Sequence, residues 1–252
     1  MELVIPAGET QADVIVPADL RVPNGLHIDE AAGLLVVNDG SDYEAAGLTG
    51  WLHDQIAAGH IPPYSLLLLG NGGDRRYELY SALPAYSHAV AQLIGKLMPD
   101  RAEKRQPVIG LASSLGAHAM LAMNMHCPGT ADHMMLQSTT LRDCMDLHAD
   151  DELNQLSRAQ LARVVNTANG VAYQARHWPT MRFVMSCSNE EGNFPHNRKM
   201  ESDLRDAGHI VDFTEIEGYQ HDLTSWRELY YIGLPGLLLD AVRDYAQDRL
   251  PV

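Results

Sequence analysis

The chain has 252 residues, enough to bury a large core as one α/β unit without disulfide or metal staples. A composition of 46% apolar and 20% charged residues excludes a disordered, collagen-like or coiled-coil chain. Lys and Arg number 18 against 33 Asp and Glu, and the formal charge of −15 repels nucleic acid and disfavours a strongly anionic substrate.

Residues 13–17 (DVIVP) read as a strand bounded by proline, and 33–37 (GLLVV) as a buried strand ending in the turn Asn38-Asp39-Gly40. Leu48, Trp51, Leu52 and Ile56 then recur at helical spacing. Residues 65–69 (SLLLL) form the next buried strand and stop at Gly70-Asn71-Gly72-Gly73. A helical stripe from Leu79 to Leu97 follows, starting or kinking at Pro84. Residues 107–111 (PVIGL) are a short strand that runs through Ala112-Ser113-Ser114-Leu115-Gly116 into a helix at 117–125, followed by a strand at 134–136. Residues 141–179 are polar and helix-prone. A strand at 181–185 (MRFVM), a helix around 197–207, an alternating strand at 210–216 and a helical segment from Ser225 through Pro235 complete the chain. Strands alternating with helices predict a mostly parallel sheet with helices on both faces. We expect one domain over 1–252, with 141–179 as a helical cap or insertion that sets substrate choice.

Cys127, Cys144 and Cys187 form no CxxC pair or disulfide framework, which fits a reducing compartment. The N-terminal residues lack a basic and apolar leader pattern, and no run of about 18 apolar residues occurs, so a cytoplasmic protein without membrane contact is expected. The 12 histidines are scattered without HExxH, and Gly70–Gly73 lacks a following Lys-Ser/Thr. No metal and no cofactor is expected. Homo-oligomerisation stays open.

Ala112-Ser113-Ser114-Leu115-Gly116 is the strongest local signal. A serine on a sharp strand-to-helix turn needs small residues two before and two after it, and Ala112 and Gly116 meet this. Ser114 would stand at the strand's C-terminal end, where open α/β sheets bind ligands, with the Leu115 amide as an anion donor. Ser113 fits less well, having no glycine two residues on.

A serine nucleophile needs a base and an orienting acid, in the order Ser, acid, His. His221 lies between the strand 210–216 and the last helix, the position of the base. His53, His60, His88, His126 and His196 read as surface or capping residues. The acid belongs after the strand 181–185, where Glu190 and Glu191 are adjacent. Asp222 is a third carboxylate, but it follows His221.

Four motifs extend the pattern: 34–40 (LLVVNDG); 59–63 (GHIPP) with 75–79 (RRYEL); the elbow at Ser114; and His221-Asp222 followed by Trp226-Arg227. Over about residues 20–245 the chain resembles the esterase branch of the α/β-hydrolases, similar to enterochelin (siderophore) esterase-like proteins and related to antigen 85 mycolyltransferases. The resemblance implies an α/β-hydrolase fold and a catalytic set of Ser114, His221 and Glu190, the last because the family's G-x-x-E fits Cys187-Ser188-Asn189-Glu190. It also implies backbone oxyanion donors at Ser41 and Leu115. The expected activity is a serine carboxylic-ester hydrolase working through an acyl-enzyme on a small-molecule ester or lactone. Acyl transfer from the same intermediate and siderophore trilactone hydrolysis are the alternatives, and a non-catalytic binding protein is the third. Arg75, Tyr43 and Trp178 are candidate substrate contacts, with Tyr173, Met145 and His148 as further wall residues and Arg76 as a second local cation.

Overall fold

The computed structural model describes residues 1–6, 13–142, 145, 152–218 and 221–247. In chain order the elements are β1 (Glu2–Ile5), β2 (Val14–Arg21), β3 (Gly33–Val37), α1 (Gly40–Ala45), α2 (Leu48–Ala57), β4 (Tyr64–Leu69), α3 (Arg76–Tyr80), α4 (Pro84–Leu97), α5 (Arg101–Lys104), β5 (Val108–Ser113) and α6 (Ser114–His126). Then come β6 (His133–Gln137), α7 (Arg158–Gln174), β7 (Arg182–Ser188), α8 (Phe194–Asp206), β8 (Ile210–Ile216) and α9 (Leu223–Gln247). The strands form one eight-stranded sheet in the order β1-β2-β4-β3-β5-β6-β7-β8. β1 and β2 pair antiparallel, as do β2 and β4; every other pairing is parallel.

Burial follows topology. β3, β4, β5 and β6 are buried at every position, as strands covered on both faces must be. One face packs under α3, α4, α6, α7 and α8, and the other under α1, α2 and α9, giving two apolar cores separated by the sheet. α6 is buried from Ser114 through Asn124, so it runs through the interior and has no solvent stripe.

The sequence expectations hold for most elements, and the departures have local causes. β1 was not expected. Its Leu3 and Ile5 face the core opposite Val16 and Val14. Pro17 does not end its strand. β2 pairs with β1 through Val14–Pro17 and with β4 from Ala18 onward, and the proline sits where the partner changes. The stripe from Leu79 to Leu97 breaks at Ser81–Leu83, where Ala82 takes φ +61, and α4 begins at Pro84, the first-turn position that needs no N–H. The helix expected at 117–125 begins three residues earlier, at Ser114 itself. Within 141–179, α7 turns Leu161, Val164 and Val171 into the main core and touches α6 and α8. Cys144 and His148 lie outside the described residues.

The chain leaves β3 toward β4 on one side and returns to β5 on the other. The connections after β3 and β5 therefore diverge at the carboxyl edge of the sheet, where this class of fold opens a crevice.

Candidate active site

β5 delivers Ser113 and passes straight into α6 at Ser114, which adopts φ +52. A left-handed serine is strained, and such strain survives only where the surroundings over-determine it. Gly116 shows the constraint: a Cβ there would stand 2.7 Å from Asp39 Oδ2 and 3.4 Å from Asn38 Cβ. Asn38 Nδ2 donates to the Gly116 carbonyl at 2.8 Å, and Tyr86 donates to Asn38 Oδ1 at 2.8 Å. The turn after β3 is thus locked against the first turn of α6.

Ser114 Oγ lies 2.8 Å from His221 Nε2, and His221 Nδ1 lies 2.6 Å from Glu191 Oε2. The result is an unbroken hydroxyl–imidazole–carboxylate relay, with Ser114 buried and Glu191 largely so. The sequence reading placed Glu190 on His221; the structure places Glu191 there. The chain does not run extended beyond β7. It turns at once, with the Glu191 N–H donating to the Ser188 carbonyl at 3.2 Å, and this folds Glu191 back over the strand end while Glu190 is exposed. Glu191 Oε1 accepts from Ser138 Oγ at 2.7 Å and from the Ser188 N–H at 3.3 Å. Burial alone would raise this carboxyl. The hydrogen bonds from His221 and Ser138 and the charge of His221 outweigh it and hold Glu191 below its usual value.

The third carboxylate, Asp222, is exposed and caps α9 by accepting from the Ser225 N–H at 2.8 Å. Trp226 stands edge-on to His221, with ring centroids 5.0 Å apart. Its indole N–H donates to Ser138 Oγ at 3.2 Å, and its carbonyl accepts from Gln137 Nε2 at 2.8 Å. Thr140 Oγ1 lies 3.3 Å from Ser114 Oγ, and the Thr140 N–H donates to the Ser114 carbonyl at 3.1 Å. No sequence motif marks Ser138 or Thr140. Trp226 was visible only as part of the fourth motif.

The amides of Ser41 and Leu115 are the second N–H groups of α1 and α6, so neither has an acceptor within its own helix. The contact between the Asn38-Asp39 turn and Gly116 brings these helix starts together.

The candidate substrate contacts fare differently. Tyr43 is fully buried beneath the site, with its hydroxyl donating to Gln137 Oε1 at 3.1 Å, so it supports β6 and cannot line a cleft. Trp178 is buried beside His209 ahead of β7, at the amino edge of the sheet. β7, seven residues long and ending at Ser188, lies between it and the site, about 20 Å of strand. Tyr173, near the end of α7, is exposed at that same far edge. Met145 is exposed. Arg75 engages Glu78 at 2.5 Å, and Arg76 grips Asp39 with Nε at 2.9 Å and Nη2 at 3.1 Å. Among the described residues no three His, Cys, Asp or Glu side chains converge as a metal site, and no helix is long and apolar enough to cross a membrane.

A strained serine between the fifth strand and its helix, on this sheet, defines the α/β-hydrolase fold. No family profile and no curated protein sequence matches the chain. Solved structures do. Ferric enterobactin esterase from Salmonella typhimurium superposes with a TM-score of 0.65 at 15% identity, over 96% of this chain and 59% of that one. Enterochelin esterase from Shigella flexneri gives 0.63 at 16%, over 98% and 59%. S-formylglutathione hydrolase from Staphylococcus aureus gives 0.60 at 8%, over 96% and 95%. The chain thus spans about three-fifths of the length of the enterobactin esterases it matches. At these identities the likeness is one of fold, shared with α/β-hydrolase esterases.

Proposed function

We propose that the protein is a serine carboxylic-ester hydrolase that forms an acyl-enzyme on Ser114. The observation that carries this reading is the relay from Glu191 through His221 to Ser114, at 2.6 and 2.8 Å. His221 Nε2 takes the Ser114 proton as Oγ attacks the ester carbonyl carbon. The carbonyl π electrons move to oxygen, and the Ser41 and Leu115 amides receive the charge. Collapse of this tetrahedral species breaks the bond to the alcohol oxygen, which leaves with the proton held by His221. A water molecule, deprotonated by His221, then attacks the acyl-enzyme and releases the carboxylic acid with Ser114 restored. Glu191 keeps the Nδ1 proton of His221 in place and stabilises the imidazolium.

The substrate is a small neutral ester or lactone. Arg75 and Arg76 are already committed to carboxylates, and the chain's net charge of −15 repels a polyanion. The test is a panel of p-nitrophenyl esters of graded chain length beside lactones, aryl esters and a catecholate trilactone, with a fluorophosphonate as a covalent probe. Wild-type protein should label and turn over neutral esters, and Ser114→Ala should do neither, losing on the order of 10⁶ in turnover. Labelling retained in Ser114→Ala and lost in Ser113→Ala would refute the assignment. Preference for the catecholate trilactone would replace the neutral-ester reading, and ester product trapped by added alcohol would point to acyl transfer.

A further inference from the structure

Asp39 carries a charge at a position whose backbone does not require one. It joins β3 to α1 with φ +53, a conformation that asparagine or glycine adopts without adding charge. Its N–H donates to the Tyr80 hydroxyl at 3.0 Å, and its carbonyl accepts from the amides of Asp42 and Tyr43, so this residue aims the start of α1 and with it the Ser41 amide. The carboxylate, only 6% exposed, turns the other way, against Gly116, the neighbour of Leu115. A buried negative charge therefore stands between the two helix starts assigned to the oxyanion. Left uncompensated, it would oppose the charge that develops there, because Coulomb repulsion is strong where water is excluded.

Arg76 supplies the compensation. From the start of α3 it grips both Asp39 oxygens, and its guanidinium lies over the Tyr80 ring with 5.4 Å to the centroid. Tyr80 thus holds both partners, one through its hydroxyl and one through its ring face. The field of Arg76 also reaches the next carboxylate: burial and the charge of Asp39 raise the Asp42 carboxyl, while Arg76 pulls it down. Guanidinium stays charged at every working pH and its planar fork matches a carboxylate, two properties that lysine does not combine.

We propose that Arg76 is a positioning residue of the oxyanion hole: its ion pair with Asp39 fixes the turn that presents the Ser41 amide and cancels the carboxylate charge beside the developing oxyanion. The proposal rests on the reading of Ser114 as the nucleophile. It concerns charge in the transition state, so it predicts an effect on kcat more than on KM.

The experiment compares wild type, Arg76→Gln, Arg76→Lys and the double variant Arg76→Gln/Asp39→Asn on one neutral p-nitrophenyl ester. Fluorophosphonate titration counts intact nucleophiles, so that kcat is expressed per competent site. Arg76→Gln should lower kcat by about tenfold to hundredfold, less than the roughly 10²–10³ of a deleted oxyanion donor because the amide itself remains, with KM changed by less than about threefold. Arg76→Lys should fall between wild type and Arg76→Gln. The double variant should regain at least half of the logarithmic loss, because removing the carboxylate charge removes the need for its partner. A double variant no faster than Arg76→Gln would overturn the proposal. So would an Arg76→Gln defect accounted for by fewer titratable sites, which is what a purely structural ion pair would give. Failure of wild type to label or turn over any ester would instead bring down the hydrolase reading and this proposal with it.

Discussion

Replacing Glu191 by glutamine changes one atom and one charge, and the surrounding donors dictate how the amide must sit. Oε1 of Glu191 faces two donors, the Ser138 hydroxyl and the Ser188 N–H, so the amide oxygen of Gln belongs on that side. The amide NH₂ then faces His221 Nδ1, where the carboxylate oxygen stood at 2.6 Å. A donor at that point requires Nδ1 to accept, which moves the imidazole proton to Nε2. His221 would then donate toward Ser114 across the 2.8 Å contact instead of accepting its proton. Two losses combine: the wrong tautomer in the ground state and no countercharge for the imidazolium. The same substitution in the serine-protease template costs roughly 10⁴ in kcat with the geometry retained, equivalent to about 5 kcal/mol of barrier. We expect Glu191→Gln to lose 10³–10⁴ in kcat, on the order of that template, while Glu190→Gln, altered at an exposed position, stays within about twofold of wild type. Steady-state hydrolysis of a neutral p-nitrophenyl ester, normalised by phosphonate-titratable sites, measures both. Near-normal turnover in Glu191→Gln with collapse in Glu190→Gln would refute the reasoning outright. Collapse of Asp222→Asn alone would move the acid to the start of α9.

Ser138→Ala removes a donor to Glu191 and strands the Trp226 indole N–H. A hydrogen bond to a charged group is worth roughly 1.5–3 kcal/mol, so kcat should fall about tenfold or more. That bond helps to hold the Glu191 carboxyl down, so its loss raises it, and the acid limb of the kcat/KM profile should shift to higher pH; an unmoved limb would contradict the role. His118, one turn beyond Ser114, is fully buried, and burial lowers it to about 4 against a smaller opposing contribution from the Thr140 backbone. The unfolded chain takes up this proton at higher pH than the folded one does. The stability contributed by neutral His118 is therefore complete above the usual imidazole value and is lost as pH falls toward about 4. Between pH 7.5 and pH 5 the wild type should lose about 2 kcal/mol from this group. Urea unfolding at the two pH values should show that loss, and it should be absent from His118→Leu; equal pH dependence in both proteins would refute it.

Much of this protein was legible in its residues because strand, helix and elbow each depend on short-range pattern. Continuous apolar runs such as 33–37 and 65–69 can be buried on both faces only in a parallel sheet between helix layers. The small residues flanking Ser114 reflect a steric demand that is local to the turn. His221 is legible because it lies between the strand 210–216 and the last helix, whereas His196 and His209, which also follow the acid, precede that strand. Which carboxylate meets His221 was not legible in this way. Glu190 and Glu191 are chemically equivalent neighbours, and the choice depends on whether the chain after β7 runs on or turns back. That is decided by Ser188, whose carbonyl and amide engage Glu191, and by Ser138 from another strand. Tyr43, Trp178 and Arg75 were aromatic or cationic residues of the right kind whose positions only packing could assign. Packing put Tyr43 under the sheet edge, Trp178 at the opposite end of a strand, and Arg75 on its own neighbour Glu78. Asp39 and Arg76 are 37 positions apart in sequence. No local pattern joins them, since the contact exists only once β3, α3 and α6 have docked and the low dielectric between them makes an ion pair the stable state of both charges.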